Sequence, residues 1–430
     1  MRKFMYCYAA FLALFASAFI HPSPSHALSD AEKENGFISL FNGQDLSGWK
    51  IMGNEEAWKI EDGAIHALPG LNGGFIQSES SFENFLLRLE YKTGPNANSG
   101  VFIHVPKHGR QSRVGGEVQI YDSYGKEPTI HSAGAIYDKV APLVTASRPA
   151  GEWHDLEIYF EYPRLKVTLN HTVVQDLDLS QDERLRWRNR IGPFGLQEHG
   201  NHVWFRNVRV KDLGGPERGS WQPLFPHKNT DGWRNESGAA NWKYQGRQMI
   251  ITIDAENLNP EHEFLKDEER LNLLGNATIQ VQDACMVGQR SSGYLVSNST
   301  YKNFHLWAYA KTSPEAMGAI WVRWKDAQNP GYGISLWNDR HDSYKTGGIM
   351  KKAKNWSESV LAPAGGKYVT DGDWFPLQII AEGKTITVIV NGNIAAKYEE
   401  AEVGEGSIAL SVFSGGGTAV SLKDVRILPY

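Results

Sequence analysis

The sequence carries the same framework twice, and this repetition limits the folds that the chain can adopt. The first copy opens with Leu40–Trp49 (LFNGQDLSGW), and the second opens with Leu224–Trp233 (LFPHKNTDGW). The distance between the copies is far longer than the repeat unit of a solenoid protein. The chain is therefore predicted to hold two related domains rather than an array of short repeats.

Further pairs of matching segments follow in the same order along both copies. They are Trp58–Gly63 with Trp242–Gly246, Phe82–Phe85 with Tyr301–Phe304, Gly151–Trp153 with Gly372–Trp374, Val167–Asn170 with Val388–Asn391, and Phe205–Val210 with Ser421–Ile427. Residues that both copies keep are expected to serve the architecture. Polar residues that only one copy keeps are candidates for function, so each copy acts as a control for the other.

The first residues have the composition of an export signal. Arg2 and Lys3 precede an apolar run that ends near Ile20, and a small-residue stretch follows as far as Ala27. This order is typical of a secretory signal peptide, residues 1–27, that is cut after Ala27. The run is marginal for a membrane-spanning helix, so we expect a periplasmic or secreted protein without a membrane span.

The amino-acid composition limits the kinds of molecule that the protein is expected to bind. Of the two cysteines only Cys285 follows the predicted cleavage site, so each fold must depend on core burial rather than on an internal disulfide. The net charge is −5, and no basic run is interleaved with aromatic residues, which argues against nucleic acid. The 14 Trp and 17 Tyr residues suit either a sandwich core or stacking on sugar rings, and the oligomeric state stays open.

Short runs of alternating polarity predict strands throughout the chain. The clearest are Phe85–Lys92, Gly100–Val105, Glu117–Tyr121, Asp155–Phe160 and Leu165–Leu169. The dipeptides at 170–171 and 391–392 are expected to form hairpin turns, and Glu261–Leu274 is the best helix candidate. Many short strands indicate an all-β sandwich or jelly roll. A Gly- and Pro-rich segment at 212–220 then separates predicted domains at 36–213 and 220–430.

The strand around Glu117 is the main candidate for chemistry. Because side chains alternate along a strand, Glu117, Gln119 and Tyr121 share one face, and Asp122 joins them only if a bulge resets the register. Aligned without gaps, copy two has Gly333 for Glu117, Ser335 for Gln119 and Asn338 for Asp122. The apolar positions between them survive, which indicates that copy two kept the core and lost the polar groups.

Two other segments supply further candidates. Gln197 alternates with core residues and can share a face with Glu117, and His199 is a possible base near neutral pH. Copy two has Ser411 and Phe413 at these places. Asn98 lies in a tight turn, and His104 is expected to share a face with Phe102, with Ile320 and Val322 as their counterparts in copy two. Weaker polar candidates are Tyr137, His108, His131 and Arg206, of which Arg206 also suits a simple ion pair with a carboxylate.

The motifs, taken together and in order, resemble the 3-keto-disaccharide hydrolase-type domain family over residues 36–213. The segments that carry the resemblance are Leu40–Trp49, Asn98–Val101, Gly116–Asp122, Gly134–Tyr137, Gly151–Trp153, Gly195–Gly200 and Phe205–Val208. Copy two is similar only in its framework. The resemblance implies two concanavalin-like jelly rolls in tandem and cleavage of 3-keto-glycosides by a secreted bacterial protein, with a sugar or glycoside as the partner.

This chemistry needs a base near C2 of the sugar and donors or a metal near the keto oxygen. Glu117, His104 and His199 are the candidate bases, and the positioning groups are Asn98, Gln119, Asp122, Tyr137, Gln197 and Arg206. The histidines show no metal-ligand spacing, yet a divalent metal held by a mixed set of histidine and carboxylate side chains stays open. The alternatives are a non-catalytic carbohydrate-binding protein and a laminarinase-type glycosidase. The second is disfavoured because Gln119 lies where a middle acid would be expected, and Asp122 is the only second acid.

Overall fold

The computed structural model describes residues 27–71, 74–216, 220–226, 230–237, 240–245, 248–253, 285–289, 293–314, 317–337, 345–352, 360–412 and 419–430. The predicted signal sequence, apart from Ala27, and the predicted helix Glu261–Leu274 lie outside these ranges. Within them, no helix combines the length and the apolar character that a membrane span needs.

The first half of the chain consists of short strands with two short helices. In chain order the elements are α1 (Asp30–Glu34), β1 (Phe37–Ser39), β2 (Trp49–Gly53), β3 (Trp58–Glu61), β4 (Ala64–Ala67), β5 (Gly74–Ser78), β6 (Asn84–Thr93), β7 (Asn98–Ile103), α2 (Gln111–Val114), β8 (Gly116–Tyr121), β9 (Trp153–Glu161), β10 (Arg164–Leu169), β11 (Thr172–Asp178), β12 (Gly195–Glu198) and β13 (Val203–Gly214). Single 3₁₀ turns occur at Glu55–Ala57 and Leu179–Gln181.

These strands form two antiparallel sheets that pack face to face. One sheet has the order β11-β10-β9-β6-β13-β4-β3, with β1 paired to β13, and the other has the order β2-β5-β12-β7-β8. Val118, Ile120, Val101 and Leu196 from the five-stranded sheet pack against Ile158 and its neighbours from the larger sheet in one core. Burial of this apolar surface is the main term that stabilises the sandwich.

The second half repeats this architecture. Its strands are β14 (Gln222–Pro223), β15 (Trp233–Ser237), β16 (Ala240–Gln245), β17 (Gln248–Ile253), β18 (Cys285–Gln289), β19 (Gly293–Tyr301), β20 (Phe304–Thr312), β21 (Met317–Trp324), β22 (Tyr332–Trp337), β23 (Ile349–Met350), β24 (Val360–Ala362), β25 (Phe375–Glu382), β26 (Thr385–Val390), β27 (Asn393–Tyr398), β28 (Gly406–Val412) and β29 (Ala419–Pro429). The sheets have the orders β14-β29-β20-β25-β26-β27, with β18 beside β29, and β15-β19-β28-β21-β22-β23-β24, and β16 pairs with β17.

The residues that the two copies share make the same bonds in both sandwiches. The indole N–H of Trp49 donates to the Leu40 carbonyl at 2.6 Å, and that of Trp233 donates to the Leu224 carbonyl at 2.8 Å. The hairpin turn after β26 has positive φ at Asn391 (51°) and at the next residue (73°), as a type I′ turn requires. These bonds explain why the framework motifs recur.

The fold class predicted from the sequence, two concanavalin-like β-sandwiches in tandem, is therefore confirmed. Each of the five strands that the alternation predicted in the first copy is present, as β6, β7, β8, β9 and β10. The last strand of the first sandwich ends at Gly214 and the next strand begins at Gln222, so the chain passes between the sandwiches in the Gly- and Pro-rich segment.

The two sandwiches pack directly on each other. The Lys107 backbone N–H donates to the Tyr309 hydroxyl at 3.0 Å, and the Lys107 ammonium pairs with Asp424 at 2.7 Å. Val114 of the first sandwich joins Trp307 and Tyr309 of the second in a small buried apolar cluster. The contact therefore combines apolar burial with polar bonds.

Candidate active site

The candidate site lies on the outer face of the five-stranded sheet. Strand β8 pairs with β7 so that Glu117 lies opposite Phe102 and Gln119 lies opposite Gly100. The intervening residues Val118 and Ile120 are fully buried in the sandwich core. Glu117 and Gln119 therefore share the face away from the core, as the alternation predicted.

Glu117 is a buried carboxyl group on that face. Its side chain is only 3% exposed, and it lies across Gly100, where a Cβ atom would come within 2.3 Å of the Glu117 Oε1. Burial raises the pKa of Glu117 to about 8, because desolvation penalises the carboxylate. The positive charges of Arg110 and Arg188 act in the opposite direction and limit the rise.

The two arginines are held in different ways. The Arg188 guanidinium is buried and donates to the Ser112 carbonyl at 2.8 Å and the Gly115 carbonyl at 3.2 Å. Its burial lowers its pKa to about 10. Arg110 is exposed, and its guanidinium lies 5.7 Å from the centre of the Tyr137 ring. Glu117 thus has one fixed and one solvent-facing cation nearby.

A chain of amide and imidazole groups runs from Gln119 toward solvent. The Gln119 side-chain N–H donates to the Asn98 Oδ1 at 2.9 Å, and the Asn98 Nδ2 lies 3.4 Å from the His199 Nδ1. The Gln119 Oε1 is buried and accepts no hydrogen bond from the described residues. Because His199 is exposed, the chain links the buried end of the face to its open end.

Tyr137 and Gln197 also belong to this face. The Tyr137 N–H donates to the Glu117 carbonyl at 3.0 Å, and an isolated bridge pairs Ile136 with Val118. Ile136 and Val118 both point into the core. The next residue, Tyr137, therefore lies beside Glu117 on the outer side. Gln197 is half-buried and lies opposite Phe75 across β5 and β12, also pointing away from the core. Of the predicted site residues, the structure thus brings Asn98, Glu117, Gln119, Tyr137, Gln197 and His199 together.

Asp122 has a local structural partner. It follows β8, and its Oδ2 accepts a hydrogen bond of 2.8 Å from the Asn96 backbone N–H. Asn96 has a positive φ of 57°, so this bond stabilises an unusual turn conformation next to Asn98. Asp122 therefore positions the turn that presents Asn98.

The expected facing of His104 is wrong. His104 has a φ of 53°, which turns its side chain away from the Phe102 side and into the core. There it is 1% exposed, between the rings of Phe85 and Phe160, and its Nε2 lies 2.8 Å from the Glu83 carbonyl. Burial lowers its pKa to about 4, which keeps the imidazole neutral. This position offers no contact with a ligand on the outer face.

Arg206 does not join the site either. It lies on β13 of the larger sheet, where its guanidinium pairs with Glu90 at 2.7 Å and covers the Trp153 ring at 3.8 Å from the ring centre. The neighbouring Phe205 is fully buried, so Arg206 faces out from the opposite side of the sandwich. The ion pair that the sequence also allowed is the arrangement present.

The second sandwich has the same face without the same groups. Its register pairs Trp321 with Gly333, so Trp321 matches Phe102 and the expected match to Ile320 is wrong by one residue. A Cβ atom on Gly333 would lie 2.9 Å from the Trp321 ring, and the Trp321 indole N–H donates to the Ser411 hydroxyl at 2.8 Å. Trp321 is 2% exposed. It therefore fills the place that Glu117 and Gln197 occupy in the first sandwich.

A metal ligand set is not found in the described part of the chain. No group of three or more His, Cys, Asp or Glu side chains is arranged there to hold a metal ion. The predicted candidates lie apart, since Asp122 is bound to the 96–98 turn and His104 lies in the core. The divalent metal stays a prediction.

The sequence reasoning missed the two arginines that act on Glu117. Arg110 lies in the segment between β7 and β8, and Arg188 lies in the segment before β12. In copy two the segment that precedes β22, residues 325–331, contains no arginine. Comparison of the two copies could therefore have identified Arg110 as a residue that only the first copy has. Nothing in the local pattern around Arg188 indicates its burial, which depends on packing against α2.

The chain is similar to proteins whose descriptions concern carbohydrates. A curated 3-keto-disaccharide hydrolase of Bacteroides thetaiotaomicron is 27% identical over 238 residues, which covers 42% of this chain and 79% of the relative. A solved structure from Parabacteroides distasonis, described as a candidate glycosyl hydrolase, is 26% identical and covers 44% of this chain and 99% of that chain, with a TM-score of 0.39. The carbohydrate-binding module CBM66 of Bacillus subtilis is 14% identical and covers 46% of this chain and 95% of that module, with a TM-score of 0.30.

The curated relative and the family match given next place the protein in the class of carbohydrate-active proteins, here built on β-sandwiches. The sequence profile of the 3-keto-alpha-glucoside-1,2-lyase-like domain matches residues 36–211 and again residues 220–428. Because the two matches span more than half of the chain, the protein belongs to this family.

Proposed function

We propose that the protein cleaves 3-keto-glycosides, with Glu117 as the base and the first sandwich as the active domain. The observation that carries the proposal is the pKa of Glu117, which burial raises to about 8 on a face that also presents amide groups. A general base is most effective when its pKa lies near the working pH. With a raised pKa, the Glu117 carboxylate is a stronger base toward a carbon-bound proton than an ordinary surface carboxylate.

The first step is removal of the proton on C2. A ketone at C3 acidifies this proton, because the electron pair left on C2 is delocalised onto the keto oxygen as an enolate. The Glu117 carboxylate takes the proton and becomes neutral, the form that its buried position favours. Arg110, beside Glu117, supplies a positive charge where negative charge develops.

Elimination and hydration complete the reaction. The enolate electron pair forms the C1–C2 double bond while the C1–oxygen bond breaks, and the aglycone leaves with a proton. The exposed His199, at the open end of the amide chain, is the candidate donor of that proton. Water then adds to the double bond, with hydroxide at C1 and a proton at C2. The net result is hydrolysis.

The site differs from that of an ordinary glycosidase. Retaining and inverting glycosidases use two carboxyl groups that flank the bond to be cleaved. Asp122, the second acid expected near Glu117, instead accepts a hydrogen bond from the Asn96 backbone. The elimination route needs only one base, which supports it over the laminarinase-type alternative.

We also propose that the protein acts outside the cytoplasm, in the periplasm or after secretion. The support is the basic start, the apolar run and the small-residue exit that ends at Ala27. The mass of the mature protein purified from its native host tests this. A chain that begins at Leu28 is expected, and an intact start at Met1 would contradict the proposal.

Turnover of a 3-keto-glucoside, compared with its unoxidised parent and followed by mass spectrometry, tests the activity. Release of aglycone only from the keto substrate is expected. The Glu117→Gln variant should lose at least about 100-fold in kcat/KM, because the base is removed at nearly constant shape. A parallel assay with a chelator reports whether a metal is needed.

A matched control is the conservative change of an acidic residue on the opposite face, Glu157→Gln, which should keep full activity. Glu157 pairs with Arg88 at 2.8 Å on the larger sheet. Full activity of Glu117→Gln would remove Glu117 from the role of base. If the wild type binds glycans but shows no turnover, the result would support the alternative that the protein is a non-catalytic carbohydrate-binding protein.

A further inference from the structure

A cleft lies between the two sandwiches, and Arg110 is the one residue of its lining that has a role in the proposed reaction. Its volume is about 550 Å³, and its walls come from both halves of the chain. His108, Arg110 and Arg113 line it from the first sandwich, and Lys367 and Asn391 are among the residues that line it from the second. A volume of this size is within the range of small-molecule sites.

The walls of the cleft are held by direct packing between the sandwiches. Gly392 has a φ of 73°, and a Cβ atom there would lie 2.4 Å from the Arg113 carbonyl oxygen. At Gly109, with a φ of 89°, a Cβ atom would lie 2.8 Å from the Asn391 Oδ1 and 2.8 Å from Pro376. The close approach of the two backbones therefore gives a cleft that is preformed in the absence of a ligand.

The charge of the cleft is predominantly positive. Arg110, Arg113 and Lys367 line it, with Asp373 as the acidic residue of the lining. Further cations stand at its edge, where the ammonium of Lys423 lies 4.1 Å from the centre of the Trp374 ring. Burial together with Lys423 and Lys107 lowers the pKa of His108, which agrees with a positive local potential.

Trp374, which lines the cleft together with the aromatic residues Tyr368 and Phe375, supports these cations rather than a sugar ring. Lys423 and Lys311 both lie over Trp374, the latter at 5.0 Å from the ring centre, and the His108 ring stacks beside it at 6.0 Å. A sugar that stacks on Trp374 would have to displace these groups. Recognition in the cleft therefore depends on charge and hydrogen bonds.

The cleft also offers an acceptor for a hydroxyl group. The Asn391 Oδ1 is buried and accepts no hydrogen bond from the residues that the structure describes, while its Nδ2 donates to the Tyr368 carbonyl at 2.7 Å. The Asn391 amide is thus fixed in orientation with its oxygen unused. A buried acceptor of this kind is costly unless a ligand or water satisfies it.

Arg110 connects the cleft to the candidate active site. It lines the cleft, lies over the Tyr137 ring at 5.7 Å and lowers the pKa of Glu117 by its charge. A glycoside whose sugar lies at Glu117 therefore has this basic cleft next to it. The second sandwich, whose own outer face is filled by Trp321, contributes the far wall.

We propose that the cleft between the sandwiches is a binding subsite for an anionic group, a carboxylate or a sulfate ester, carried by the glycoside. Arg113 and Lys367 bind the anion from opposite walls, and Asn391 accepts a hydroxyl group of the same ligand. This proposal rests on the proposed function, because that function identifies the ligand as a glycoside. It gives the second sandwich a role in substrate selection.

The test measures binding to the full-length mature protein by isothermal titration calorimetry. The probes are phenyl glucuronide, a phenyl glucoside that carries a sulfate ester, and the neutral phenyl glucoside, none of which has the keto group needed for turnover. We expect one or both acidic probes to bind at least about tenfold more tightly than the neutral probe. The two acidic probes distinguish a carboxylate from a sulfate ligand.

Variants assign the effect to the cleft. Arg113→Gln and Lys367→Gln should each raise the Kd of the acidic probes by about tenfold and leave that of the neutral probe unchanged. Lys33→Gln, which removes an exposed lysine that pairs with Asp30 on α1, is the matched control. Equal binding of acidic and neutral probes, or full retention of acidic binding in both cleft variants, would overturn the proposal. Inorganic sulfate that binds as tightly as the sulfated glycoside would also overturn it.

The same titrations in the Glu117→Gln variant separate this proposal from the proposed reaction. Glu117 is not part of the cleft lining, so charge-dependent binding should persist there whether or not the wild type turns over 3-keto-glycosides. Binding with no turnover would reject the reaction alone, and turnover without a preference for acidic probes would reject the subsite alone.

Discussion

At the scale of single residues, Glu117 shows how burial converts a common side chain into a candidate base. Its carboxyl group has a raised pKa because the protein removes water from it, and two arginines limit the rise. Gln119 and Asn98 beside it are held in one orientation by their mutual bond of 2.9 Å. The site is therefore defined by the environment of a few side chains.

The first residue-scale prediction concerns the pH dependence of turnover. Because Glu117 must be ionised to act as the base, kcat/KM should rise with pH through about 8 and then level off. Arg110→Gln removes a charge that lowers this pKa, so the rise should move to higher pH. Arg164→Gln, an exposed arginine paired with Asp176 on the larger sheet, should leave the profile in place. An unshifted profile in Arg110→Gln would contradict the electrostatic role.

The second residue-scale prediction concerns the pH dependence of the free energy of unfolding. A carboxyl group whose pKa is raised on folding contributes stability below its unfolded pKa, and this contribution is lost as the pH rises to the folded value of about 8. Glu117→Gln should therefore be more stable than the wild type above pH 8, by about 1.4 kcal/mol for each unit of pKa difference. Denaturant unfolding at several pH values measures this. A difference between the two proteins that does not vary with pH would rule it out.

At the scale of elements, strands β7 and β8 bring the candidate groups to one face. Their pairing sets Gly100 opposite Gln119, and the missing side chain at Gly100 leaves room for Glu117. In the second sandwich the missing side chain is at Gly333, the counterpart of Glu117, and Trp321 fills the space there. The same two strands thus hold a carboxyl group in one copy and an indole ring in the other.

Gly100→Ala should disturb the site more than the fold. The added Cβ atom would lie 2.3 Å from the Glu117 Oε1 and 2.8 Å from its Cγ, so the carboxyl group must move. We expect kcat/KM to fall at least about tenfold, since small displacements of catalytic groups are costly, while the free energy of unfolding changes little. Gly404→Ala, where no atom lies within 4 Å of the added Cβ, is the control. Unchanged activity in Gly100→Ala would show that the Glu117 position is not critical.

At the scale of the whole molecule, the contact between the sandwiches is built from backbone approach as well as side chains. Gly392 lies against the Arg113 carbonyl, Val114 packs with Trp307, and Lys107 pairs with Asp424. A framework turn of the second copy, at 391–392, therefore also serves as a contact with the first copy.

A pair of glycine substitutions tests this contact. Gly392 and Gly372 have similar positive φ values, 73° and 80°, but a Cβ atom meets the Arg113 backbone only at Gly392. Gly372→Ala should cost about 1–2 kcal/mol from backbone strain alone, and Gly392→Ala should cost about 1–3 kcal/mol more from overpacking. Thermal unfolding measures both. Equal losses for the two variants would contradict close packing of the sandwiches at this turn.

Features that depend on neighbours along the chain were predicted from the amino-acid sequence. Alternation predicted strands β6 to β10 and the shared face of Glu117 and Gln119, because side chains two apart in a strand point the same way. Positive φ at the 391–392 turn follows from the chemistry of Asn-Gly. The comparison of the two copies separated core positions from polar candidates, because the two alternate within one strand, but it also singled out His104, which lies in the core.

Features that depend on distant parts of the chain became visible only in the folded protein. The side chain of His104 points into the core because its backbone has a positive φ of 53°. Arg206 forms an ion pair with Glu90 on a neighbouring strand. The raised pKa of Glu117 results from burial, and the charge of Arg188, a residue far along the sequence, limits the rise. The basic cleft exists only because two separately folded sandwiches meet. Burial, charge pairing and docking are set by contacts between segments, so local sequence patterns do not contain them.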